Sequence, residues 1–185
     1  MRSTWISIIT AGLAFGTMTS VAFASTTNST LTGQKEVSIN GSAMSDPYAR
    51  VVDNTTYMPI WYVGQALSHI QGVTQQWDGN HHVWQITLPA NLLTYLPQLT
   101  KAIPIGSGNT TITINGTPVK VVDTFAATDP VSKKPTVYMP IYYIQQILSE
   151  VGIVNTWDGN DWNIVNLPTL LPGGNSPSNA TGSLA

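Results

Sequence analysis

The sequence predicts an α+β protein built from two tandem repeats. Each repeat reads strand, strand, helix, strand, strand, and each is expected to pack a small antiparallel sheet on one helix. Three recurrences predict this. Tyr57-Met58-Pro59-Ile60-Trp61-Tyr62 returns as Tyr138-Met139-Pro140-Ile141-Tyr142-Tyr143, and Trp77-Asp78-Gly79-Asn80 returns as Trp157-Asp158-Gly159-Asn160. Ahead of both, Val37-Ser38-Ile39-Asn40-Gly41 is matched by Ile112-Thr113-Ile114-Asn115-Gly116. Signals in one order at a spacing of about 80 residues mark a duplicated unit the size of a small domain rather than a solenoid repeat.

Each element has its own warrant. Val37–Ile39 and Ile112–Ile114 alternate apolar and polar residues and end in Asn-Gly, the signature of a strand entering a tight hairpin. Val51-Val52-Asp53 and Val121-Val122-Asp123 are read as the second strands of these hairpins. Pro59 and Pro140 then mark helix starts, because their fixed φ suits the first turn, where an N–H would have no partner. Ile60, Val63, Leu67 and Ile70 in one helix, and Ile141, Ile144, Ile147, Leu148 and Val151 in the other, recur at helical spacing and define a core-facing stripe. Gly72 and Gly152 stand where helix C-caps are expected. The strands into Trp77 and Trp157 turn at Asp-Gly, and the return strands place Trp84 with Ile86, and Trp162 with Ile164, on one face.

The expected layout is a signal peptide over 1–24, a flexible lead-in over 25–34 and a first repeat over 35–89. A connector with a short helix follows over 90–110, then the second repeat over 111–168 and a disordered tail over 169–185. The signal rests on Arg2, the apolar run from Trp5 to Phe15, and Ala22-Phe23-Ala24 as a small-residue cleavage site. In the connector Pro97 interrupts a leucine-rich helix, and Gly106-Ser107-Gly108-Asn109 reads as a flexible joint. No stretch after the signal is apolar enough to span a bilayer.

Composition narrows the function. Charged residues are 9% of the chain against about 25% in ordinary globular domains, so stability rests on burial and neutral hydrogen bonds. A net charge of -2 and the absence of a basic run argue against nucleic acid. With no cysteine, disulfides, thiolate metal sites and thiol nucleophiles are excluded. His81-His82 is poorly placed for a single metal, since neighbours in a hairpin point apart, and no metal or cofactor is expected. Asp78 and Asp158 have the carboxylates a hydrolase would need, but repeated Asp-Gly turns use aspartate for local backbone hydrogen bonds. No catalytic residue is assigned.

The Tyr-Met-Pro helix start, the glycine after the helix, Trp-Asp-Gly and the closing strand with Trp and Ile together resemble the copper amine oxidase N-terminal-like domain. That module occurs, often in tandem, in exported proteins of Gram-positive bacteria. The resemblance covers nearly the whole mature chain. It implies a non-catalytic stalk or spacer, secreted or associated with the cell envelope. Ile60-Trp61 and Ile141-Tyr142 stand where the family pattern has Leu-Arg, so no arginine role carries over.

The aromatics are the remaining functional candidates. Pro59, Trp77, Asp78 and Gly79, with Pro140, Trp157, Asp158 and Gly159, are read as structural motif residues. Trp61 and Tyr142 directly follow the inward isoleucines, and adjacent helix positions do not share a face, so both should reach solvent. Together with Tyr62, Tyr143, Lys133 and Lys134 they form the set expected to meet a ligand or partner. That partner would be a cell-wall polysaccharide such as peptidoglycan, stacked on the aromatics, or another envelope protein. A hydrolase is the remote alternative, and the sequence leaves the oligomeric state open.

Overall fold

The computed structural model describes residues 28–165. The expected signal peptide and C-terminal tail lie outside the described residues. The first half runs β1 (Thr30–Gln34), β2 (Glu36–Ile39), β3 (Ser42–Ser45), β4 (Tyr48–Val52), β5 (Thr55–Pro59), α1 (Ile60–Ser68), β6 (Thr74–Asp78) and β7 (Val83–Thr87). Two short helices follow, α2 (Ala90–Leu93) and α3 (Leu96–Ala102). The second half runs β8 (Thr110–Ile114), β9 (Thr117–Val122), β10 (Phe125–Thr128), β11 (Pro135–Pro140), α4 (Ile141–Glu150), β12 (Val154–Trp157) and β13 (Asp161–Val165).

Local chemistry accounts for the boundaries. Asn40 and Gly41 both take positive φ, 51° and 75°, and Asn115 and Gly116 repeat this at 47° and 81°. This left-handed pair is what a two-residue hairpin needs to match strand twist. Pro59 and Pro140 are the N-cap residues, at φ -61° and -66°, so each closes a strand and opens a helix without strain. At the end of α4, Ile153 N donates to Leu148 O at 2.8 Å and Gly152 N to Ser149 O at 3.1 Å, the paired bonds of a Schellman cap.

The mixed α+β class is observed, but the strands do not sort into one sheet per repeat. A five-stranded sheet has the order β1-β4-β5-β11-β10, and two four-stranded sheets have the orders β12-β13-β2-β3 and β6-β7-β8-β9. The closing hairpin of each half therefore adds to the opening hairpin of the other. In the parallel pair β13–β2, Trp162 faces Val37 and Ile164 faces Ile39; in the parallel pair β7–β8, Trp84 faces Ile112 and Ile86 faces Ile114. At the centre β5 and β11 run antiparallel with Met58 opposite Met139. A single apolar core draws on both halves, from Val37, Met58, Val63 and Leu67 to Met139, Ile144, Leu148 and Trp162. A period-2 pattern states which face of a strand is apolar but not which strand will satisfy its edge, so the expected sheet-per-repeat arrangement gives way to a shared one.

Four further expectations change. Residues 30–34, placed in the flexible lead-in, form β1 and pair with β4. The first half has five strands before its helix and the second half four, where two were expected in each. The two Val-Val-Asp motifs are not equivalents: the first ends β4 and turns through Asp53 and Asn54, whereas the second ends β9. The Gly106–Asn109 joint is a close backbone crossing rather than a loose tether. A Cβ on Gly108 would fall 2.2 Å from the Val122 carbonyl carbon, and Asn109 N donates to Val122 O at 3.1 Å. In the connector Pro97 sits in the first turn of α3, whose Leu99 is fully buried.

Candidate functional site

Trp61 and Tyr142 are 57% and 59% exposed, each next to a buried isoleucine that starts its helix. Behind them Tyr62 and Tyr143 meet their neighbours edge-on, with ring centroids 5.2 Å and 5.4 Å apart. The outward pair and the inward pair have different surroundings.

Trp61 forms one wall of a cleft of about 400 Å³. The start of α1 supplies Ile60 and Trp61, the sheet-edge strand β6 supplies Gln75, Gln76 and Trp77, and β11 supplies Pro135, Thr136 and Val137. A smaller hollow of about 120 Å³ continues past Trp77 and Val137 to Gly79, His82, Asn109, Thr124, Phe125 and Ala126. The larger cleft is therefore walled by two indoles, two carboxamides, a hydroxyl and aliphatic surface, and all eight lining side chains are uncharged.

The floor is held by an amide wedge. Trp84 is fully buried and its indole Nε1 donates to Gln75 Oε1 at 2.9 Å, as a buried indole N–H requires a partner. Gln75 reaches it by lying flat on Gly64, where a Cβ would come within 2.6 Å of the Gln75 Cδ. In the second half Trp162 Nε1 donates to Asn155 Oδ1 at 3.3 Å, and Asn155 Nδ2 donates to Gln145 O at 3.2 Å. The long amide faces glycine, and the short amide faces glutamine.

Tyr62 and Tyr143, expected among the contact residues, turn to internal partners. Tyr62 donates its hydroxyl to Asp129 Oδ2 at 3.2 Å. Asp129 is 1% exposed and also accepts from Ser132 N at 2.8 Å and Val131 N at 3.3 Å. Burial pushes its carboxyl up, but hydrogen bonds from Ser132, the two amides and Tyr62 outweigh it and hold the group below its ordinary range. Burial first, and then Asp129, raises the Tyr62 hydroxyl. This clip ties the β10–β11 loop, residues 129–134, to α1. Lys133 and Lys134 are exposed in that loop and do not line the cleft, although the next residue, Pro135, does. Tyr143 receives the Lys120 ammonium 4.3 Å from its ring centroid, and Lys120 Nζ also donates to Pro104 O at 2.7 Å. Lys120 is 6% exposed, and burial lowers its pKa.

The repeated aspartates are turn formers. Asp78 Oδ1 accepts from Asn80 N and His81 N at 3.0 Å and 3.2 Å, and Asp158 Oδ1 accepts from Asn160 N and Asp161 N, both at 2.8 Å. Asp78 also meets the His81 ring at 2.7 Å, and that contact leads the causes lowering its pKa; for Asp158 the leading cause is the Asp161 amide. Among the described residues no three His, Asp or Glu side chains gather in a metal-binding group. No helix among them is long and apolar enough to cross a membrane.

Sequence reasoning missed four participants. Gln75 and Gln76 carry no motif, and only their place on an edge strand opposite Trp61 brings them into the cleft. Asp129 belongs to no repeated motif, and only the fold of the β10–β11 loop brings it to Tyr62. Arg50, whose guanidinium lies 5.3 Å from the centroid of the buried Tyr138 ring, lies in a segment that no repeat signal marked. Tyr138 also stacks on Phe125 at 5.4 Å, so the second Tyr-Met-Pro motif begins inside an aromatic seam. Comparison with known proteins finds no matching family model, curated protein or solved structure.

Proposed function

We propose that this chain is an exported, non-catalytic module of the two-repeat stalk type, working at the cell envelope or extracellularly by binding an uncharged polysaccharide. The observation that carries the reading is the cleft between Trp61 and Trp77. Flat indoles offer stacking surface to the apolar faces of sugar rings, while the Gln76 carboxamide and Thr136 hydroxyl can exchange hydrogen bonds with ring hydroxyls. An uncharged lining suits an uncharged ligand, because no buried ion is left to be paired. The interlocked sheets and shared core support the spacer role, since one core drawn from both halves leaves no joint between them.

Retention on purified cell-wall polysaccharide tests the reading. Wild-type protein should be retained, and Trp61→Ala should lower retention at least tenfold with an unchanged melting temperature. Equal retention of the variant would leave the cleft without a role. A polypeptide partner on the envelope is the second reading. It rests on β6, an outermost strand that borders the cleft with one side of its backbone unpaired by the sheet.

A further inference from the structure

The cleft draws on α1 and β6 of one half and β11 of the other, and in this pseudo-symmetric molecule each of those elements has a counterpart. The pairing of β5 with β11 places an approximate two-fold axis between Met58 and Met139, with Pro59 opposite Tyr138 and Tyr57 opposite Pro140. The axis relates Trp61 to Tyr142, which have nearly equal exposure. It also relates Gln75, Gln76 and Trp77 to Asn155, Thr156 and Trp157, and both runs read half-buried, exposed, half-buried. Thr136 at the first cleft is answered by the half-buried Thr55.

From this we infer that the protein carries two glycan sites, one at Trp61 and Trp77 and a second at Tyr142 and Trp157, and that it bridges two glycan strands. This rests on the polysaccharide reading proposed above. Tyr142 supplies the exposed ring, Trp157 the second aromatic, and Thr156 with Thr55 the hydroxyls. No charged side chain is among these four, so the second site selects the same ligand class as the first. Antiparallel pairing sends α1 and α4 away from opposite ends of the β5–β11 ladder, so Trp61 and Tyr142 stand on opposite flanks. Two strands lying on those flanks would be held apart by the shared core.

Titration calorimetry with a soluble hexamer of N-acetylglucosamine counts the sites. Wild-type protein should bind two hexamers, Trp61→Ala and Tyr142→Ala one each, and the double variant none. All four proteins should keep the same melting temperature, because both residues are largely outside the core. On insoluble polymer of the same sugar, where strands can be engaged in pairs, wild type should be held at least a hundredfold more tightly than either single variant. A stoichiometry of one, with Tyr142→Ala indistinguishable from wild type, would overturn the second site and leave the Trp61 cleft standing. Absence of binding by wild type would overturn both.

Discussion

Met58 and Met139 sit directly opposite each other where β5 meets β11, both essentially without solvent exposure. One position in each half thus becomes the centre of the whole molecule. The two parallel pairings, β13 with β2 and β7 with β8, complete the exchange, so neither half keeps its opening and closing hairpins in one sheet. Several expected outcomes follow from that arrangement and from the contacts around the cleft.

The halves should unfold together. Met139→Ala removes core volume at the axis and should cost about 2 to 5 kcal/mol. The indole resonances of Trp84 in one half and Trp162 in the other should disappear at one denaturant concentration, in wild type and variant alike. Two separate midpoints would contradict a shared core.

The wedge of Gln75 on Gly64 should show as coupling between the two positions. Gly64→Ala brings a Cβ onto the Gln75 amide and should break its bond to the Trp84 indole. The lost partner costs about 1 to 3 kcal/mol, partly offset by about 1 kcal/mol of helix propensity. Adding Gln75→Asn shortens the amide as the second half does and should recover part of the loss. Denaturant titrations of both single variants and the double variant decide it, with simple additivity as the contrary result.

Asp129 sets an acid-side dependence. Its folded pKa lies below the ordinary value, which is about 3.9 in an unfolded chain. Its contribution is therefore complete above that value and lost as pH falls through the lower folded pKa. Asp129→Asn should be less stable than wild type at pH 7 by about 1 to 3 kcal/mol, and the gap should close as pH drops from about 4 towards 2. Tyr62→Phe should reproduce a smaller part of the loss. A constant gap across that range would remove the carboxylate from the argument.

Lys120 gives a slope of the same sign at the alkaline end, although here folding disfavours the charged form. Burial lowers its folded pKa, so folding favours the neutral amine and wild-type stability should rise with pH from that lowered value towards about 10.4. Lys120→Met lacks the titration. Urea midpoints of the two proteins measured from pH 7 to pH 10 should show wild type gaining on the variant, and parallel curves would speak against it.

The helices were legible because their signals are local. Proline supplies the φ of the cap, and isoleucine and leucine at helical spacing supply the buried stripe, so α1 and α4 start where Pro59 and Pro140 say they should. The outward aim of Trp61 and Tyr142 followed from the same periodicity. The turns were equally readable: at Asp78 and Asp158 the side chain bonds backbone two and three residues on, and at Asn-Gly both residues tolerate the positive φ the hairpin needs.

Sequence by itself determined the α+β class, the helix starts and the outward aim of Trp61 and Tyr142, since each depends on neighbours a few residues apart. Tertiary structure alone decided that β13 joins β2 and β7 joins β8, that Gln75 and Gln76 face Trp61, and that Asp129 receives Tyr62. Those outcomes depend on which distant edge or polar group satisfies a strand or a side chain. Two halves that carry the same strand and turn signals offer competing partners at such choices, and the packing of one common core selects between them.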